Sequence, residues 1–290
     1  MSPASSSRSE DCPPDLSQIL AAARERSGVD FRGYRSSTLE RRVQSRMLAV
    51  RAPSYAEYLR RLREEPAEID ILLDRLTIKV SRFFRNAPTY RRLQDIMLSW
   101  RAAALDADRF KIWSAGCGNG EEPYSLAMLV SELPGPTPAG SICATDIDER
   151  ALAVARARCY PAEALDETPP ELRSRYLVHS QQPIRSHRVA DGVASLVTFL
   201  LHDLTAATRP PREGGFHLIC CRNVLIYLTP IVQRQVLELL LGSLAPGGYL
   251  CLGKAEAPCA SLLPLLEVVD RAARIFRLNR TPTPASRGEA

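Results

Sequence analysis

The apolar residues of this chain recur with two different spacings, and the change of spacing divides the sequence into two parts. Up to about Arg101, apolar residues recur every three or four positions, which is the period of one helix face. The first such stripe ends near Gly28 and consists of Leu16, Ile19, Leu20 and Ala23. From residue 110 onwards, short apolar runs alternate with stretches of helical period. The pattern predicts an all-helical first part and an α/β second part.

Three further helices are expected in the first part. Ser37 is an acceptable N-cap for one, Ser54 caps the next, and Pro66 restarts the chain into the last. On the helix that follows Ser37, the face opposite the apolar stripe carries Arg41, Arg42 and Arg46, with Arg35 just ahead. We therefore predict a small helical subdomain with one strongly basic face.

The second part begins with the stretch FKIWSAGCGNGEEPYSLAM at residues 110–128. Its apolar start leads into three glycines at alternate positions, Gly116, Gly118 and Gly120, and then into an apolar stripe of helical period. This order predicts a strand, a tight turn and a helix. Glycines let a backbone approach a ligand, and a new helix end offers N–H groups without partners. We expect a small-molecule site at this turn.

The rest of the chain continues to alternate strands with helices. Strands are expected at 141–145, 216–221, 249–252 and 274–278, a helix from Pro230, and a firm turn at 245–248. Four prolines interrupt residues 156–200, where two or three short strands are expected between 184 and 199. Such alternation predicts a mostly parallel, doubly wound sheet.

Composition and charge narrow the class of protein. No apolar run reaches the roughly 18 residues needed to span a bilayer, and the N-terminus lacks a signal peptide's apolar core, so a cytoplasmic protein is expected. Eight cysteines without a CxxC pair, and only four histidines, argue against a metal site or a disulfide framework. Residues 15–101 carry 18 Lys and Arg against 11 Asp and Glu, whereas the whole chain is only +5. The basic character belongs to the helical part.

The residues around the glycine turn indicate the ligand. Asp146 lies 26 residues after Gly120, where an acid commonly accepts hydrogen bonds from ribose hydroxyls. Glu121 and Glu122 occupy the first helical turn, where their negative charges would repel a pyrophosphate. An ammonium and a sulfonium are a better electrostatic match, which favours S-adenosylmethionine over NAD. Two alternatives remain open: the glycines serve only strand–helix packing, or the acids serve only the helix dipole.

Several separated motifs resemble the CheR-type chemoreceptor glutamate O-methyltransferases of bacterial chemotaxis. They are SRFFR (81–85), WSAGCGNGEEPYSLAM (113–128), ATDID (144–148), HDL (202–204), CRNVLIY (221–227) and GGYLCLG (247–253). The resemblance covers about residues 15–280, nearly the whole chain. No single motif is decisive, but their order and spacing together make chance agreement improbable.

The resemblance implies a fold and a domain organisation. The expected fold is α/β, with a Rossmann-like class I methyltransferase sheet, a small N-terminal all-helical subdomain and a small inserted β-subdomain. The expected bounds are a disordered tail at 1–13, a helical receptor-docking subdomain at 14–78, a linker and helix at 79–109, the S-adenosylmethionine-binding domain at 110–280 with its insertion at about 160–200, and a tail at 281–290.

The resemblance also implies roles for individual residues. Those expected to bind the cofactor are Ser81, Arg85, Gly116, Glu121, Asp146, Asp203, Leu204, Arg222 and Asn223, with Glu122 as a second candidate beside Glu121. Tyr227 corresponds to the family's aromatic hydroxyl at the active site. The family often has Asn where this chain has Lys79, and this departure puts one cofactor contact in question.

The chemistry implied by the resemblance is methyl transfer to glutamate carboxylates, which leaves S-adenosylhomocysteine. A glutamate side chain has a reference pKa of about 4.3 and is already ionised near neutral pH, so it needs no general base. We hypothesise that Arg85 and Tyr227 position it. The alternatives are a signalling module that binds the cofactor without catalysis, and a methyltransferase for another substrate.

The basic helix face also has an interpretation. Receptor methylation regions are acidic helices, so the surface formed by Arg35, Arg41, Arg42 and Arg46 is expected to dock there. The protein is expected to be a monomer. A nucleic-acid surface and a merely solvated face are the competing interpretations. Against nucleic acid, the same face offers no interleaved aromatic residues for stacking.

Overall fold

The computed structural model describes residues 14–77, 81–102, 111–135, 141–180, 186–206, 209–212 and 215–279. These residues form two compact units, one of residues up to 77 with 227–232, the other of residues from 81 to 226 with 233–279. The segment 227–232 therefore belongs with the helices, although its place in the sequence assigned it to the methyltransferase domain. The expected tails at 1–13 and 281–290, and Lys79, lie outside the described residues.

The first unit is built from helices. They are α1 (Pro14–Ser27), α2 (Ser36–Ala49), α3 (Tyr55–Glu64) and α4 (Pro66–Leu76). The apolar stripe expected on α1 is inside, since Leu16, Ile19 and Ala23 are fully buried. The Ser54 hydroxyl caps α3 by accepting the N–H of Glu57 at 3.2 Å, as the sequence predicted.

The start of α2 differs from the prediction. The helix begins at Ser36, and its N-cap is Arg35, whose side chain makes no capping hydrogen bond. Ser37 is therefore not the cap. The apolar face of α2 is as expected, because Leu39, Val43 and Met47 are buried.

The second unit contains a large mixed sheet with helices beside it. Its helices are α5 (Ala87–Ala102), α6 (Glu121–Ser131), α7 (Glu149–Ala157), α8 (Pro170–Tyr176), α9 (Asp191–Ala194) and, from residue 233 onwards, α10 (Pro230–Ser243). Its strands are β1 (Ile112–Ala115), β2 (Ile142–Asp146), β3 (Cys159–Pro161), β4 (Leu177–Ser180), β5 (Ser186–Val189), β6 (Val197–Leu201), β7 (Phe216–Cys221), β8 (Leu244–Leu252), β9 (Leu266–Asp270) and β10 (Ile275–Leu278).

The main sheet has the strand order β6-β2-β1-β7-β8-β10-β9. The five strands from β6 to β8 pair in parallel, and β10 and β9 run antiparallel at one edge. All four residues of the central strand β1 are buried, because helices cover both faces of a parallel sheet. The order reverses direction at β1, so the carboxyl ends of β1, β2 and β7 form the edge where such sheets bind ligands. This is the class I methyltransferase architecture predicted from the sequence.

Two strands of this sheet depart from the prediction. The turn expected at 245–248 lies within β8, which starts at Leu244 and pairs with β7 through a register shift. The edge strand β9 was not predicted, although three of its five residues, Leu266, Val268 and Val269, are apolar.

A second, three-stranded antiparallel sheet has the order β3-β5-β4. It corresponds to the insertion expected at about 160–200. The insertion ends earlier than predicted, because β6 at Val197–Leu201 pairs along its whole length with β2 of the main sheet. No helix within the described ranges is both long enough and apolar enough to cross a membrane.

Candidate functional site

The glycine turn after β1 is anchored to the end of β2. The N–H groups of Gly116 and Cys117 donate to the carbonyl oxygen of Thr145 at 2.8 and 2.9 Å. All three glycines have a positive φ, +75° at Gly116, +55° at Gly118 and +95° at Gly120, which favours glycine over other residues. Helix α6 begins directly after this glycine turn, at Glu121.

The glycines do not share one function. A Cβ on Gly116 would lie 2.4 Å from Cγ2 of Val224, and a Cβ on Gly120 would lie 2.8 Å from Cβ of Ala155. A Cβ on Gly118 would meet no atom within 4 Å. Close packing therefore adds to the positive φ as a reason for glycine at Gly116 and Gly120, while a side chain at Gly118 would face open space.

Asp146, the residue expected at the ribose, is fixed at the end of β2. Its Oδ2 accepts the N–H of Gly118 at 2.7 Å, and its Oδ1 accepts the N–H of Asp148 at 3.0 Å. Each carboxylate oxygen can accept more than one hydrogen bond. The aspartate is thus oriented against the open glycine, in the position the sequence predicted.

Glu121 is buried at the start of α6, and its Oε2 has no hydrogen-bond partner. Burial raises the pKa of this carboxyl from 4.5 to about 7. A buried carboxylate without a partner is costly, and a cationic group placed beside it would relieve that cost. Glu121 is therefore suited to receive the positively charged end of a ligand.

Glu122 differs from its neighbour because its carboxylate is already engaged. Oε1 accepts the Ser114 hydroxyl at 2.7 Å, and Oε2 accepts Nη1 of Arg222 at 3.3 Å. Burial raises the pKa of Glu122, while Arg222 and Ser114 act in the opposite direction. Glu122 is thus part of the scaffold, and we no longer retain it as a second cofactor ligand.

Arg222, at the end of β7, is also turned inward. Its side chain is only 4% exposed, with Nη2 donating to the carbonyl oxygen of Arg85 at 2.7 Å and Nη1 lying 3.3 Å from the Tyr90 hydroxyl. The guanidinium is therefore not offered to a ligand, and Arg222 stays a predicted cofactor-binding residue through its backbone. The guanidinium instead holds the backbone at Arg85.

The SRFFR loop is bound to the start of α6. The N–H of Phe84 donates to the Ser125 hydroxyl at 2.9 Å, and that hydroxyl donates to the carbonyl oxygen of Glu121 at 2.6 Å. Phe84 has φ +54°, a left-handed conformation that is uncommon for an aromatic residue. The structure thus brings Arg85 to the same helix end as Glu121, and both Arg85 and Ser81 are half-buried.

Asp203 and Leu204 follow β6 and lie beside Asp146. The N–H of His202 donates to the carbonyl oxygen of Asp146 at 3.0 Å, which joins the ends of β6 and β2. Oδ1 of Asp203 accepts the N–H and the hydroxyl of Thr205 at 2.8 and 2.7 Å. The expected adenine-side residues therefore stand at the same sheet edge.

Asn223 follows β7 in a left-handed conformation, with φ +62°. Its N–H donates to Oε2 of Glu256 at 2.9 Å. Glu256 lies in the loop after β8, and sequence reasoning missed it. An acid between two alanines in a loop carries no signal that distinguishes it from a solvated charge.

The first unit holds Tyr227 and the basic residues expected to dock a partner. The Arg42 guanidinium lies 6.0 Å from the centroid of the Tyr227 ring and donates to the carbonyl oxygen of Arg75. Arg35 donates its N–H to the carbonyl oxygen of Tyr227 at 2.8 Å and its Nε to that of Leu228 at 3.1 Å. Arg42 is half-buried, whereas Arg35 and Arg41 are exposed.

Arg46 does not belong to an open docking surface. Its guanidinium forms a bidentate ion pair with Glu68, at 2.6 and 2.7 Å, and Glu68 is 4% exposed. The Tyr58 hydroxyl donates to the same carboxylate at 2.9 Å. Helical spacing placed Arg46 with the other arginines, but α4 supplies a buried partner that the spacing alone does not show.

The assembled site suits a nucleoside with a cationic end. It offers open space at Gly118, a fixed aspartate at Asp146 and a buried carboxyl at Glu121 whose Oε2 has no hydrogen-bond partner. These features fit S-adenosylmethionine, which has ribose hydroxyls, an ammonium and a sulfonium. A pyrophosphate would meet the two glutamates of α6, as argued from the sequence.

Family models match both parts of the chain. Residues 79–261 match the model described as CheR methyltransferase, SAM binding domain. Residues 14–77 match the model described as CheR methyltransferase, all-alpha domain.

Curated relatives span most of the chain. The chain is 31% identical to chemotaxis protein methyltransferase 2 of Pseudomonas aeruginosa over 244 residues, 83% of this chain and 86% of that protein. It is 29% identical to the chemotaxis protein methyltransferase of Escherichia coli over 83% of this chain and 82% of that protein. It is 37% identical to chemotaxis protein methyltransferase 1 of Vibrio cholerae over 64% of this chain and 67% of that protein.

The sequence identity to solved structures is lower than the identity to these relatives. The N-methyltransferase NodS of Bradyrhizobium japonicum, solved with S-adenosyl-L-homocysteine, is 17% identical to this chain. The match covers 58% of this chain and 63% of NodS. Its TM-score of 0.32 is too low to support an argument about this chain.

Proposed function

The chain belongs to the CheR methyltransferase family, and we propose that it methylates glutamate side chains of methyl-accepting chemotaxis receptors, using S-adenosylmethionine and forming glutamate methyl esters. The observation that carries the proposal is the buried carboxyl of Glu121, whose Oε2 has no hydrogen-bond partner, at the helix end that follows the glycine turn. The names of the curated relatives, which are chemotaxis protein methyltransferases, support the receptor as substrate.

The cofactor would be held by residues at the ends of four strands of the sheet, β1, β2, β6 and β7, together with the SRFFR loop. Asp146 would accept hydrogen bonds from the ribose, Glu121 would face the cationic methionine end, and Asp203 and Leu204 would flank the adenine. Gly116 would shape the turn, and Ser81, Arg85 and the backbone at Asn223 would complete the enclosure. When bound, S-adenosylmethionine supplies a methyl group activated by a positively charged sulfur.

The protein's own contribution is orientation and desolvation. A glutamate side chain with a pKa of about 4.3 is ionised near neutral pH, so no group on this chain must remove a proton from it. We assign positioning of that carboxylate to Arg85, as a charged donor, and to Tyr227, as a hydroxyl donor. The described structure supports the Arg85 assignment because Arg222 and Ser125 fix the loop that carries it.

Receptor docking is assigned to the exposed arginines of the first unit. Arg35 and Arg41 are exposed, and Arg42 is half-buried beside Tyr227. An acidic receptor helix would be attracted to this surface, and the attraction would weaken as salt is added. Arg46 is left out of the proposed surface because Glu68 holds it.

The test is transfer of a labelled methyl group to receptor-containing membranes. We expect label on the wild-type receptor that is released as methanol by alkali, as an ester requires. A matched receptor with alanine at its methylation glutamates should take no label. Transfer to the alanine receptor, or to RNA offered in its place, would overturn the substrate assignment. Tight S-adenosylhomocysteine binding without any transfer would identify a signalling module instead.

A further inference from the structure

Glu256, in the loop after β8, is buried, with 4% of its surface exposed. Its Oε2 accepts the N–H groups of Gly253 at 2.6 Å and Asn223 at 2.9 Å, and its Oε1 accepts the N–H of Ile226 at 3.3 Å. Asn223 and Ile226 belong to the loop after β7, and Gly253 to the loop after β8. One carboxylate thus ties together the loops that leave two neighbouring parallel strands.

The loop after β8 is shaped to admit this carboxylate. A Cβ on Gly253 would lie 2.5 Å from Oε2 of Glu256 and 2.8 Å from the backbone nitrogen of Asn223. Distances under 3 Å mean that a methyl group at this position would displace either the carboxylate or the β7 loop. Gly253 and Glu256 therefore form a matched pair.

The loop that Glu256 holds is in contact with the glycine turn. Val224 lies between Asn223 and Ile226, and it packs so closely on Gly116 that a Cβ there would be 2.4 Å from its Cγ2. Asn223 adopts φ +62°, a conformation that asparagine tolerates but does not prefer. The loop needs a constraint from outside itself, and the three hydrogen bonds to Glu256 supply it.

We propose that Glu256 is a positioning residue for cofactor binding. It acts through backbone N–H groups, keeping Asn223 and Val224 at the spacing from the glycine turn that the cofactor requires. We assign it a positioning role and not a catalytic one, because its carboxylate oxygens accept the backbone N–H groups of Asn223, Ile226 and Gly253. The inference rests on the proposed function, since it takes S-adenosylmethionine as the ligand of this edge.

Two substitutions at Glu256 should weaken cofactor binding to different extents. Glu256→Ala removes both acceptor oxygens and leaves three N–H groups without partners, so we expect the dissociation constant for S-adenosylhomocysteine to rise about 10- to 100-fold. Glu256→Gln keeps one acceptor oxygen and replaces the other with an NH₂ group, so a rise of roughly tenfold or less is expected. Calorimetry on the full chain measures both, and the methylation assay should show the loss in KM for the cofactor more than in kcat.

The matched control is Glu132→Gln. Glu132 follows the other end of α6 and accepts Arg175 at 2.6 Å and the Tyr176 hydroxyl at 2.5 Å. The same chemical change there should shift Tm without changing cofactor affinity. Gly253→Ala provides an independent approach, since it displaces the carboxylate without removing it, and should weaken affinity in the same direction.

The outcomes separate this inference from the proposed function. If the wild-type chain binds no S-adenosylhomocysteine, the proposed function fails, and the inference fails with it. If the wild-type chain binds and folded Glu256→Ala binds equally well, the inference alone is overturned. Should Glu256→Ala not fold, Glu256→Gln and Gly253→Ala decide, and unchanged affinity in both, or equal losses in Glu132→Gln, would overturn it.

Discussion

The guanidinium of Arg222 donates from Nη2 to the carbonyl oxygen of Arg85 at a distance of 2.7 Å, although 137 residues separate the two in sequence. The same guanidinium pairs with Glu122 in the first turn of α6. Three segments therefore meet at one buried charge: the end of β7, the start of α6 and the SRFFR loop. The position of Arg85 depends on an interaction that does not involve its own side chain.

Replacing Arg222 with methionine should destabilise the fold strongly. The change leaves Glu122 buried without its cationic partner, a loss that typically costs about 3–5 kcal/mol. The double variant Arg222→Met/Glu122→Gln should regain part of that free energy, because no uncompensated charge remains. Urea unfolding of the four proteins in this cycle measures the coupling. Strict additivity of the two single changes would show that the pair does not interact in the folded protein.

Removing the carboxyl at Glu121 should alter the pH dependence of stability. Because the folded-state pKa of about 7 lies above the ordinary 4.5, the folded protein binds the proton more tightly than the unfolded chain. Stability of the ligand-free protein should be greatest below about pH 4.5 with respect to this group. About 3 kcal/mol should be lost as the pH rises through 7. Unfolding free energies at pH 5 and pH 8 measure the difference, which should shrink in Glu121→Gln.

Ligand binding supplies the complementary readout for Glu121. An ionised carboxylate attracts the ammonium group of S-adenosylhomocysteine, so the affinity for this ligand should increase from pH 6 to pH 8. Glu121→Gln should bind more weakly and lose this increase. If wild type and variant show the same pH profile of affinity, Glu121 does not face the cationic end of the ligand.

Replacing Gly116 with alanine should destabilise the glycine turn for two reasons. The residue has φ +75°, and a Cβ would meet Val224 at 2.4 Å. We expect a loss of roughly 2–4 kcal/mol, from backbone strain together with overpacking. Val224→Ala added to Gly116→Ala should recover the steric share but not the conformational share. Thermal unfolding of the single and double variants tests this division.

Gly242→Ala is the control for that experiment. Gly242 lies in α10, and a Cβ there would meet no atom within 4 Å. Alanine in a helix interior should stabilise the protein by about 0.5–1 kcal/mol. A comparable loss of stability at both glycines would mean that contact with Val224 is not the cause at Gly116.

Substitutions of Arg41 and Arg46, on the same helix, should affect different properties: Arg46 stabilises the fold, and Arg41 contributes to receptor binding. Arg46→Met breaks the buried pair with Glu68 and should cost about 3–5 kcal/mol in unfolding free energy. Arg41→Ala removes an exposed charge and should change stability by less than about 0.5 kcal/mol. In a co-sedimentation assay with receptor membranes, Arg41→Ala should weaken binding and reduce its salt dependence. Unchanged binding would remove Arg41 from the docking surface.

Much of the fold was predictable because its signals are local. The apolar period of α1, the cap at Ser54 and the proline at the start of α4 each act within a few residues, and each was identified correctly. The glycine turn is equally local, since its alternating glycines and following acids are contiguous. The ligand class followed from the charges next to the turn.

The errors arise where a distant segment decides the structure. Residues 245–248, where a Pro-Gly-Gly sequence predicted a turn, lie within β8 at the register shift between the residues that pair with β7, Leu244 and Tyr249. Pairing with β2 draws 197–201 into the main sheet, which shortens the insertion. Strand pairing is a contact between segments far apart in sequence, so local pattern does not encode it.

By itself, the sequence determined the class of fold, the glycine turn and the acids that favour a cationic nucleoside, because these depend on residue type and short spacing. Only the tertiary structure decided which charged side chains remain accessible. Glu121 and Glu122 are adjacent in sequence, yet one is buried without a partner and the other is paired with Arg222. Arg41 and Arg46 share a helix, yet only Arg46 meets a carboxylate from α4. The physical reason is that the burial and the ion pairing of a charged side chain depend on the groups around it, and folding brings those groups from remote parts of the chain.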